Sequence, residues 1–104
     1  MPNMIKLYCK IPNTEITRIF NIRDDLTISE LLHYINTKAR LKLNIPSRYT
    51  IEVVDVEMGE TGYKIANSNV ETIRERYRNH LFNNCLAYYV RIIDNSTESW
   101  GIAS

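Results

Sequence analysis

Between Met4 and Ile11 apolar and polar residues alternate, with Ile5, Leu7, Cys9 and Ile11 in one phase and Lys6, Tyr8 and Lys10 in the other. A period of two predicts a strand with one buried face. Pro12-Asn13-Thr14 breaks the run as a turn does. A second strand is expected over Glu15 to Ile22, with Ile16, Phe20 and Ile22 in phase. Arg18 shares that phase, which places it at a sheet margin. The short connection makes the pair an antiparallel hairpin. The period then changes. Thr27-Ile28-Ser29-Glu30 has the form of a capping box, in which the hydroxyl takes an orphan amide and the carboxylate reaches back. Ile28, Leu31, Leu32, Ile35 and Ala39 follow at helical spacing, predicting an amphipathic helix to about Leu41. Lys38, Arg40 and Lys42 stand near its negative C-terminal end, and Asn44-Ile45-Pro46-Ser47 stops it.

The β-branched stretch from Tyr49 to Val56 reads as a third strand, and the acidic turn Asp55-Val56-Glu57-Met58-Gly59-Glu60-Thr61-Gly62 follows it. Tyr63 to Ala66 is expected as a short fourth strand. Ser68 to Glu71 has capping-box spacing, and Val70, Ile73, Tyr77 and Leu81 predict a short second helix. Leu86 to Ile93 is a last strand, with Leu86, Tyr88, Val90 and Ile92 in the phase opposite to Ala87, Tyr89, Arg91 and Ile93. Residues 1–94 are read as one domain and 95–104 as a flexible polar tail.

Composition narrows the classes. The chain has 104 residues, 44% hydrophobic and 24% charged, which is globular rather than disordered. No apolar run reaches the roughly 18–20 residues of a membrane span. No charged-then-apolar leader precedes Pro12-Asn13, so the expected setting is cytoplasmic and reducing, with Cys9 and Cys85 as free thiols. A net charge of +1 argues against a general polyanion binder. Eleven asparagines and fourteen isoleucines are a mild bias of the kind an AT-rich genome produces, which leaves room for a viral structural or host-modulating protein.

The element order is hairpin, long helix, strand, short strand, short helix, strand. It predicts an α+β fold, a mixed sheet of four to five strands packed on one long helix with a short second helix. Its carriers are Met4-Ile5-Lys6-Leu7 opening the first strand, Thr27-Ile28 starting the helix, the Ile28, Leu32 and Ile35 stripe, and Leu86 to Ile92 closing the sheet. On these residues the chain resembles the ubiquitin-like β-grasp superfamily from about Met4 to Ile93. The resemblance implies a last strand parallel to the first at the centre of the sheet, and partner binding through the exposed sheet face. The final residues Trp100-Gly101-Ile102-Ala103-Ser104 lack the terminal Gly-Gly of conjugated modifiers, so a domain without conjugation is expected. A looser likeness is to PB1-type domains, which pair a basic first strand with an acidic turn. Here Lys6 would meet Asp55, Glu57 and Glu60 in a self-associating scaffold.

The candidate chemistry is recognition. With Ile5 and Leu7 inward, Lys6, Tyr8 and Lys10 face out, and the last strand adds Tyr89 and Arg91 while the third adds Val54. Tyrosine and arginine offer large contact area with a polar end. Since the first and last strands should be neighbours, Tyr8 and Tyr89 are expected side by side. Arg74, Arg76 and Arg78 on the second helix are the nucleic-acid alternative. Trp100, the sole tryptophan, is a candidate tail anchor, expected to dock on its own domain, on a partner or in oligomer packing. No nucleophile motif or phosphate loop is present, so an enzyme and a cofactor are not expected. Cys9, Cys85, His33 and His80 lack the short paired spacing of metal ligands, so no metal is expected either.

Overall fold

The computed structural model describes residues 3–78 and 84–93. The fold is α+β. Strand β1 (Met4–Lys10) pairs antiparallel with β2 (Thr17–Arg23) and parallel with β4 (Cys85–Ile93), which pairs antiparallel with β3 (Thr50–Asp55). The sheet order is β2-β1-β4-β3, so the first and last strands lie at its centre. Helix α1 crosses one face between β2 and β3. It comprises Ile28–Tyr34, a π-helical turn Ile35–Ala39 and a closing turn Arg40–Lys42. The short helix α2 (Ile73–Arg76) precedes β4. This layout is compatible with a β-grasp.

Alternation in β1 places Ile5, Leu7 and Cys9 against α1, where Ile28, Leu31, Ile35 and Ala39 form the opposing stripe. Val53, Leu86, Tyr88 and Val90 complete the core from the sheet, and Leu43, Ile45, Ile73 and Tyr77 close its ends. Thr27 caps α1 as expected. Its hydroxyl accepts the Glu30 amide at 3.1 Å, and the Glu30 carboxylate accepts the Thr27 amide at 2.9 Å. That pairing holds the Glu30 carboxyl below its ordinary pKa. The π turn has a local cause. The Thr37 hydroxyl donates to the His33 and Tyr34 carbonyls, and the Arg40 Nε donates to the Asn36 carbonyl, so side chains compete for the helix ladder. Arg40 then ties the helix end to the connection leading into β3 by donating to the Pro46 and Tyr49 carbonyls, both at 2.9 Å.

Three expectations change. The capping box of the second helix is Thr72 with Glu75, not Ser68 with Glu71. The Ser68 hydroxyl instead accepts the Val70 and Glu71 amides in a turn, and Val70, placed in the helical stripe by spacing, is 84% exposed. The reason is tertiary: Ile73 is buried, and backbone bonds from Ile28 to the Glu71 carbonyl and from Ile73 to the Leu26 carbonyl clamp the two helix starts together. The short strand Tyr63–Ala66 is a single bridge, Lys64 to Val54. Leu81, the tail 95–104 and Trp100 lie outside the described residues.

Candidate partner-binding face

The face of the sheet turned away from α1 is built by the alternate residues of all four strands. The register puts Met4, Lys6, Tyr8 and Lys10 beside Arg23, Asn21, Ile19 and Thr17 on one side, and beside Cys85, Ala87 and Tyr89 on the other. Tyr89 pairs in turn with Val54, and Arg91 with Glu52. Lys6, Tyr8, Lys10, Tyr89 and Arg91 therefore share one face. Tyr8 is opposite Ala87 rather than Tyr89, so the two tyrosines are diagonal neighbours, not a direct pair.

The β3–β4 half of this face is covered. After the 3₁₀ turn Val56–Met58 the chain folds back over it. The Arg91 guanidinium donates to the Gly62 carbonyl at 2.7 Å and the Glu60 carbonyl at 3.3 Å, while two of its nitrogens hold the Glu52 carboxylate at 2.8 and 3.1 Å. The Glu60 carboxylate reaches the Asn13 amide at 3.2 Å, and the Ile65 amide bonds the Val53 carbonyl. Beneath this cover Val54 has no exposed surface, which removes it from the contact set. Arg91 is half-buried and serves as the tie that holds the cover down.

The β1–β2 half stays open among the described residues. Lys6 is exposed, Tyr8 and Lys10 are half-exposed, and Met4 and Ile19 keep 57% and 56% of their surface. Tyr8 and Ile19 form a non-hydrogen-bonded cross-strand pair, the kind in which facing side chains come closest. Ile19 was not anticipated as a contact residue. Its signal is an isoleucine in the otherwise polar phase Thr17, Asn21, Arg23.

The acidic turn does not stand free. The Asp55 carboxylate accepts the Glu57 amide at 3.0 Å, capping the 3₁₀ turn, and Glu60 sits against the β1–β2 turn, at the same end of β1 as Lys10. Glu57 is exposed. The arginines of α2 are also engaged. Arg74 donates two bonds to Asp24, at 2.7 and 3.2 Å, and Arg76 holds Glu71 at 2.7 Å and donates to the Ala66 carbonyl. Arg78 is exposed. Asp24 is only 4% exposed, and the Arg74 guanidinium holds its carboxyl below the ordinary carboxylate range against the opposing effect of burial.

Cys9, Tyr77 and Tyr88 lie in the core. Burial pushes the Cys9 thiol up to about 12, so it stays protonated and inert. The Tyr88 hydroxyl donates to that of Tyr77 at 2.5 Å, and burial raises both phenols. Among the described residues no three His, Cys, Asp or Glu side chains gather as metal ligands, and no helix is long and apolar enough to cross a membrane. No protein-family model matches the chain, and no curated protein matches it.

Proposed function

We propose that this chain is a non-catalytic protein–protein interaction module of ubiquitin-like type, and that it binds its partner through the open β1–β2 half of the outer sheet face. One observation carries the reading. Tyr8 and Ile19 place aromatic and apolar surface in solvent between Lys6 and Lys10, with Met4 exposed on the far side of Lys6, next to a half of the same face that the chain buries for itself. A rigid tyrosine beside an exposed aliphatic residue, rimmed by cations, has the make-up of a binding hot spot. Tyr89 and the Arg91-held cover form the border of this surface rather than its centre. The cytoplasmic, reducing setting belongs to the same proposal.

The test is a paired affinity capture from native lysate, read by quantitative mass spectrometry. The bait is the wild-type chain or the Tyr8→Ala, Ile19→Ala double variant, with the fold of each checked by circular dichroism. Truncating two hot-spot side chains costs about 2 kcal/mol or more of binding, roughly thirtyfold in affinity. Proteins enriched on wild type and lost from the folded variant support the reading. Identical sets on both baits sink it.

A further inference from the structure

The two outer strands of the sheet end differently. On β3 the edge is occupied toward its C-terminal end, where the Val53 carbonyl accepts the Ile65 amide at 2.9 Å and Lys64 bridges Val54. On β2 it is not. Bonds from the Ile11 amide to the Ile16 carbonyl, and from the Asp24 amide to the Asn3 carbonyl, fix the parity of the β1–β2 ladder. Even-numbered β2 residues turn their backbone groups toward β1, and Thr17, Ile19, Asn21 and Arg23 turn theirs outward. Among the described residues only one of these outward groups is taken, the Thr17 carbonyl, which accepts the Arg18 guanidinium at 2.9 Å. Ile19, Asn21 and Arg23 present amides and carbonyls in a row with no partner among the described residues.

Charge says what fits there. Residues 4–23 contain Lys6, Lys10, Arg18 and Arg23 against the single carboxylate Glu15, a net of +3 in a chain of net charge +1. Neither β1 nor β2 contains an acidic residue. Arg23 meets Asp25 at 3.1 Å in an exposed pair that water screens. A second copy pairing edge to edge would line one seam with four guanidinium groups and no strand carboxylate. An acidic strand would neutralise them.

We propose that the β2 edge takes up an extended acidic segment of a partner protein as an added strand, its carboxylates facing Arg18 and Arg23 and its apolar residues facing Ile19, Phe20 and Ile22. Main-chain bonds to Ile19, Asn21 and Arg23 supply the binding and the flanking charges supply the choice of partner. The inference rests on reading the β1–β2 half as the partner surface, and it adds the chemistry of that partner.

The probe is a synthetic peptide written against β2 in antiparallel register: Glu-Val-Thr-Ile-Val-Glu-Thr, blocked at both ends. Its third and fifth amides point at β2 and its fourth points away. Binding is followed by NMR on the isotope-labelled full chain at low salt. The expected result is protection from exchange at the Ile19, Asn21 and Arg23 amides. N-methylation at positions three and five should weaken binding at least tenfold and N-methylation at position four should leave it within about twofold, since the first removes strand bonds and the second does not. Lysine in place of both glutamates should abolish binding. Asn21→Pro removes one outward amide and should weaken binding at least tenfold, and the methylated peptides carry the same test if that variant does not fold. No binding at millimolar peptide, or equal loss from both methylated peptides, overturns the inference. Shifts confined to Lys6, Tyr8 and Ala87 overturn it while leaving the sheet face as partner surface. A concentration-dependent dimer that Asn21→Pro abolishes would mean that a second copy takes the edge, and overturns the acidic partner. The lysate comparison of the Tyr8→Ala, Ile19→Ala variant stands or falls separately from each of these.

Discussion

The β3–β4 half and the β1–β2 half of the outer face belong to one continuous ladder, but they meet water in opposite ways. Val54 and Ile19 are both β-branched aliphatics in outward phase. The first has no exposed surface and bridges Lys64, and the second keeps 56% of its surface. What separates them is a strap. Arg91 gathers the Glu52 carboxylate and two loop carbonyls on the covered side, and nothing comparable crosses β1 and β2 among the described residues. The covered half is thus finished in part by the chain itself, with Val54 buried and the edge of β3 taken at Val53 and Val54. The open half carries edge groups unpaired among the described residues, exposed apolar surface and excess positive charge together, three features that a monomer ordinarily blunts.

The sharpest way to break this contrast is to make one substitution at both positions. Val54→Asp buries a carboxylate with no partner and should destabilise by about 3 kcal/mol or more, while Ile19→Asp should stay within about 0.5 kcal/mol. Urea unfolding at pH 7 measures both. Equal midpoints would mean that the cover is loose and the halves are alike. The folded Ile19→Asp chain should also lose the acidic peptide, because it places a like charge beside the incoming strand.

The strap itself is tested at Gly62. A Cβ there would stand 2.5 Å from the Met58 Cβ and 3.0 Å from the Met58 carbonyl oxygen, so the turn must move. Gly62→Ala is expected to cost about 1–3 kcal/mol and to speed amide exchange at Ile65, whose bond to Val53 depends on the path of the turn. Amides of β2 should be unaffected. Exchange that rises equally in both halves would show that the strap is not a separate unit.

Much of the fold was readable because burial and period agree. β1 and β4 have one buried face each, so their alternation shows directly, and the Thr27 box announces α1 from four residues. The covered half was misread where alternation fails. Val53-Val54 puts consecutive β-branched residues on both faces, the mark of a strand buried on both sides, but the covering segment is recognisable only once Arg91 is seen to bridge it. For α2, two Ser/Thr-x-x-Glu boxes stand four residues apart with equal local merit. Burial of Ile73 decides between them, and that is a property of the packed molecule. The π turn depends on where one hydroxyl, that of Thr37, finds its acceptors. On the candidate face, outward Lys6, Tyr8 and Lys10 follow from the period, whereas the open β2 edge is a matter of sheet order and hydrogen-bond parity.

The smallest expected effect concerns how the open half is anchored. Just past β2, Asp24 accepts the Asn3 amide and two bonds from Arg74, tying the hairpin to α2. Its carboxyl titrates below the ordinary value because the charged form is the one Arg74 binds. A carboxyl with a depressed folded pKa stabilises above its unfolded pKa, about 4, and that stabilisation is lost as pH falls through the lower folded value. Stability should therefore drop on acidification from about pH 5 toward pH 2. Glu30 and Glu75, held low by the capping amides of Thr27 and Thr72, act in the same direction and window. Arg74→Met separates them, since it leaves both capping boxes intact. The variant should be less stable at pH 7 and should lose less on going to pH 3. Because Arg74 is half-exposed, the difference is modest and should shrink in high salt. Exchange at the Asp24 and Arg74 amides should rise with it while Ile65 stays protected. If the acid limbs of wild type and variant coincide, Asp24 is held by the Asn3 amide and the fold around it, and the hairpin is no more tethered at this end than at its turn.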